Sequence, residues 1–148
     1  MVEGATNFKK AGYNEDDSAM LARVAALYQN IADEQVSAGD SADFIISQMK
    51  AFNIEAGNAE SIINEVNAVS NSYAVSSADL AQGLQLVSSA LSVGGNSMEE
   101  VIGLMTSGTE IVRNSTKVAR GLVSVQSRLN QVTDESSSTG KALSDWYE

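Results

Sequence analysis

The stretch SALSVGGNSMEEV, residues 89 to 101, carries the residue types of an anion site: two glycines and Asn96, followed by a helix start at Ser97. Backbone N–H groups of such a turn, backed by a helix dipole, can cradle a phosphate. That chemistry also needs a preceding buried strand and a cation within reach. Residues 89 to 110 contain no Lys or Arg, and Glu99 and Glu100 would repel an anion at the helix start. The other reading is a glycine-terminated helix followed by a new one, with Ser97 and Glu100 spaced for reciprocal capping. The residues favour a joint.

Other candidate chemistry is equally thin. NEDD at 14 to 17 gathers three acids, but not at the spacing of a calcium loop, and acids in a first helical turn complement the helix dipole. The chain has no histidine, which removes the usual general base, the Ser-His-Asp triad and imidazole metal ligands. It has no cysteine, which removes disulfides, thiolate metal sites and cysteine nucleophiles. No serine sits in a nucleophile-elbow pattern. Glu99 and Glu100, adjacent in sequence, point to different parts of a helix circumference and form no acid–base couple. No catalytic residue, cofactor or metal is expected, and the chain is not expected to be an enzyme.

The 148 residues carry nine basic and nineteen acidic side chains, a net charge of −10. So acidic a surface repels nucleic acid and anionic membranes, and neither is expected as a partner. No apolar run approaches the ~20 residues needed to cross a bilayer, and the start, MVEGATNFKK, lacks the apolar stretch of a signal peptide.

The elements behind these motifs are helical. Proline is absent and aromatics make up 5% of the chain, a composition that disfavours a strand-rich fold. Apolar residues recur at helical spacing: Met20, Val24, Leu27, Ile31; Ile45, Met49, Phe52; Ile62, Ile63, Val66, Val69; Leu80, Leu84, Val87, Leu91; Met98, Val101, Ile102, Met105, Val112; and Val118, Leu122, Val125, Leu129, Val132. Six amphipathic helices are predicted near 15–36, 41–54, 58–72, 77–92, 97–113 and 115–133. Asn14, Asn58, Asp40 before Asp43 and Ser76 before Asp79 are the candidate caps. AFNIEAGNAESII and ALSVGGNSMEEVI overlay with Ala51 on Ala90, Phe52 on Leu91, Ile54 on Val93 and Glu60 on Glu99, and SADF at 41 matches SADL at 77. The fold class expected is therefore all-α, stacked antiparallel helical hairpins repeating every 36 to 39 residues. Residues 1–133 are read as one helical domain. In 134–148, DESSSTG reads as a linker and KALSDWYE as the opening of a truncated further element, so the chain is expected to be a fragment.

One stretch departs from the acidic background. Residues 111 to 133 contain Arg113, Lys117, Arg120 and Arg128 and no acid. Lys117, Arg120, Ser124 and Gln131 fall opposite the Val118–Leu129 stripe. These four cations are a candidate protein-contact face, against the plainer reading of a solvated face or packing on acidic helices.

From Phe8 to Leu143 the sequence resembles the core region of phage tail tape measure proteins. The resemblance rests on Ala51-Phe52, NAVSN before the turn at Tyr73 to Ser76, Leu80 and Leu84, and Gly95 to Glu100, taken in order and spacing. It implies a long helical scaffold that occupies the interior of the virion tail tube and sets tail length. Its implied partners are other copies of itself, tail tube protein and tail assembly chaperones, and it implies no catalytic residue. The competing class is a bacterial helical adaptor that holds a peptide between helix pairs. A binding groove of that kind favours exposed aromatics, whereas Tyr28, Phe44, Phe52 and Tyr73 mostly fall on or near the expected buried stripes.

Overall fold

The computed structural model describes residues 2–134 and 138–147 and is all-α among them. The elements are α1 (Val2–Lys10), α2 (Glu15–Ile31), α3 (Ala38–Phe52), a one-turn 3-10 helix (Ala56–Asn58), α4 (Glu60–Ser72), α5 (Ser77–Val93), α6 (Met98–Val112), α7 (Ser115–Thr133) and α8 (Ser138–Tyr147).

Short polar side chains start most of these helices. Asn14 accepts from Asp17 N, Ser37 from Asp40 N, Ser76 from Asp79 N and Asn114 from Lys117 N, each satisfying an amide that the first turn leaves free. Ser97 and Glu100 form the reciprocal capping box their spacing predicts. Two expected caps fall elsewhere. Ser37, not Asp40, starts α3, so that helix begins before the predicted 41, and α2 ends at Ile31, short of the predicted 36. Asn58 closes the 3-10 turn, and Ala59 precedes α4 with no side-chain cap.

Helix α1 is not anticipated by periodicity. It has a single large apolar anchor, Phe8, which is fully buried and meets Tyr13 edge-on with ring centroids 6.3 Å apart. Gly12, at φ +99°, turns the chain from α1 into α2. In α2 the buried face is Leu21, Val24, Ala25 and Tyr28, while Met20 and Leu27 of the expected stripe are exposed. Tyr28 decides that rotation, because its hydroxyl donates to Ser77 O at 3.1 Å. At the other end, 138–140 of the expected linker are the first residues of α8, and 135–137 lie outside the described residues.

The core is organised around α5, which packs on α3, α6 and α7. Leu80, Leu84, Val87 and Leu91 are all buried, as their spacing predicts. Burying four such side chains stabilises the fold by about 6–12 kcal/mol before entropy is counted. Gly83 lets α7 come close: a β-carbon there would lie 3.1 Å from Ser115 Cβ and 3.3 Å from Ser115 O. Further along, Gly94 sits against the Gln126 side chain, so α5 and α7 run parallel. A buried polar link joins α3 to α5, with Ser88 Oγ donating to Gln48 Oε1 at 2.7 Å. The two sequence-matched hairpins differ in tightness. Helices α5 and α6 pack closely, whereas α3 packs mainly on α5, α1 and α2 and touches α4 lightly.

Candidate interaction surface

The glycine loop closes on itself. Gly95 takes the left-handed conformation at φ +93°, Gly94 stays at φ −72°, and the N–H groups of Gly95 and Asn96 bond back to Ser92 O and Leu91 O. Asn96 Nδ2 also donates to Leu91 O at 3.0 Å. At the start of α6, Ser97 N donates to Glu100 Oε2 at 2.8 Å and Glu100 N donates to Ser97 Oγ at 3.2 Å. The amides that would hold a phosphate are occupied by the helix's own caps. The geometry is that of a joint.

NEDD is also absorbed locally. Asn14 caps α2 and donates to Asp17 Oδ2 at 2.8 Å, while Glu15 pairs with Lys9 at 3.1 Å. Among the described residues no group of three acidic, cysteine or histidine side chains could hold a metal ion, and no helix is long and apolar enough to cross a membrane.

The four basic residues separate. Arg113 is the left-handed C-cap of α6 at φ +56°, and its Nη1 donates to Ala74 O at 2.8 Å, tying α6 to the α4–α5 loop. Lys117, Arg120 and Arg128 all stand exposed on the outer side of α7. At 100° per residue Lys117 and Arg128 fall within about 20° of each other, with Arg120 about 60° to one side. Among the described residues none of the three forms an ion pair. The apolar stripe of α7 is only partly used: Val118 and Leu122 are half-buried, while Val125 and Leu129 are 55% and 53% exposed. Ser115 and Ala119 are the residues of this helix that reach the core.

A second surface was not legible beforehand. Between α4 and α6 lies a groove of about 530 Å³, floored by Val69, Ile102 and Gly103 and walled by Glu65, Glu99 and Glu110. Burial raises the pKa of Glu65, and the charge of Glu99 raises it further. Glu99 moves the other way, because its own backbone N–H and the Ser97 hydroxyl hydrogen-bond its carboxylate. The groove is thus apolar below and negative along its rims. In the sequence these glutamates read as ordinary first-turn or surface acids. The available signal was Gly103, a helix-interior glycine with nothing within 4 Å of where its β-carbon would be.

The family model for phage-related minor tail proteins matches residues 1–146. The chain belongs to this family. The phage tail proteins so defined thus include a chain whose all-α fold and lack of a metal-binding cluster are seen among its described residues. No solved structure matches this tail protein.

Proposed function

We propose that this tail protein is a segment of a tape measure protein, a structural scaffold inside the tail tube that sets tail length during assembly and catalyses no reaction. The observation that carries the reading is the family match over residues 1–146 of a chain whose described residues form an all-α fold. Order and spacing of the helix joints, from Ala51-Phe52 through Gly95 to Glu100, support the narrower assignment. In this role the chain works beside other copies of itself, is enclosed by polymerising tail tube protein and is kept assembly-competent by tail assembly chaperones. Its acidic surface would also keep it from adhering to the DNA that later passes through the tube.

Antibodies raised against residues 1–133 test the enclosed location. Intact tails should remain unlabelled, and tails opened with denaturant should release the chain and react. Labelling along the outside of intact tails would contradict the proposal.

A further inference from the structure

Two helix surfaces of this chain repeat one another with the charges reversed. On α6, Glu99, Gly103, Ser107 and Glu110 line the groove against α4. On α7, Lys117, Gly121, Val125 and Arg128 recur at the same steps of four, four and three residues. Each row lies along one side of its helix and spans about 16 Å. All four α7 residues are exposed with α8 in place. Within the chain α6 and α7 already meet through other residues, Gly108 packing on Val118.

Neither row is paired with opposite charge among the described residues. Among the described residues Glu65, Glu99, Glu110, Lys117 and Arg128 form no ion pair, and the one hydrogen bond from outside α6 to Glu110 is a long one, 3.3 Å from Ala74 N. Gly103 and Gly121 sit inside helices, where glycine is less favourable than alanine, and no described residue comes within 4 Å of the place of either missing β-carbon. No packing among the described residues requires them. A second helix approaching closely would.

We propose that α7 of one copy of the chain docks in the α4/α6 groove of another. Lys117 and Arg128 meet the carboxylates of Glu99 and Glu110, Gly121 and Gly103 allow close approach, and Val125 covers the apolar floor. This is helix-in-groove recognition with complementary rims. Groove and helix are different surfaces, so the contact is head-to-tail and closes into a ring or continues as a filament. The inference rests on the tail-scaffold reading for its setting, in which several copies work side by side.

Sedimentation of the 148-residue chain tests it. Association should grow with concentration at about 20 mM salt and weaken markedly at about 500 mM. Lys117→Glu/Arg128→Glu and Glu99→Lys/Glu110→Lys should each weaken it about tenfold or more, and mixing the two variants should restore it. Both variants stay net negative from a starting charge of −10, so general attraction cannot produce that recovery. Gly103→Leu and Gly121→Leu should also weaken association while leaving the melting temperature unchanged or raised, which separates lost contact from lost folding. A monomer at every concentration, association indifferent to the reversals, or no recovery on mixing would each overturn the docking. Those results would leave the scaffold reading standing, because that reading is tested on tails.

Discussion

Asp33, in the loop after α2, caps a helix that starts 44 residues later: its carboxylate accepts from Ser77 N at 3.0 Å and from Ser77 Oγ at 2.7 Å. Ser77 Oγ in turn accepts from Asp33 N at 3.3 Å, and Tyr28 donates to Ser77 O. The start of α5, the central helix, is thereby fixed to the end of α2.

Asp33→Ala should therefore destabilise the fold by about 1–2 kcal/mol, read from the urea midpoint. Burial raises the Asp33 pKa, but the hydrogen bonds from Ser77 and Ala78 outweigh it and the net shift is downward. A depressed folded pKa gives stability that is present above the ordinary value of 3.8 and lost as pH falls through the folded one. The gap in melting temperature between wild type and Asp33→Asn should accordingly be full at pH 7 and shrink below pH 3.8.

At the joint after α5 the two glycines are not equivalent. Gly95→Ala places a β-carbon at φ +93° and should cost about 1 kcal/mol or more. Gly94→Ala, at φ −72°, meets the far end of the Gln126 side chain, which can turn aside, and should cost less. Equal losses in denaturant unfolding would show that the turn is carried differently.

Gly83 is a packing glycine. In an ordinary helix interior Gly→Ala gains about 0.5–1 kcal/mol. Gly83→Ala should reverse that sign and destabilise by about 1–2 kcal/mol, because the new carbon meets Met105 and the Ser115 backbone. Gly121→Ala, which enters open space, supplies the comparison and should stabilise the chain when melted in high salt.

What the sequence disclosed follows from the range of the interactions. Ser97 with Glu100, Asn14 and Ser76 act within one helical turn, so spacing alone located them. The α5 stripe was legible because its leucines and valine face the core at helical intervals. The rotation of α2 was not, because Tyr28 is held by Ser77 O, 49 positions away, and small residues such as Ala25 bury as well as Leu27 would. Helix α1 carries no periodic signal, because one anchor, Phe8, makes no pattern. Of the surfaces, the exposed cations of α7 were legible from charge alone. The α4/α6 groove was not, since Glu65 and Glu110 come together only through packing. Arg113 is close to the other cations in sequence, but its left-handed cap directs its guanidinium to Ala74 O.

The most direct measurement is tail length. In the phage or prophage whose gene encodes this chain, in-frame deletions of increasing size through helical stretches of that gene should give tails that shorten in proportion to the residues removed. Electron micrographs of the deletion series should show a straight line of tail length against residues deleted. Tails of unchanged length across the series would contradict the assignment as a tape measure.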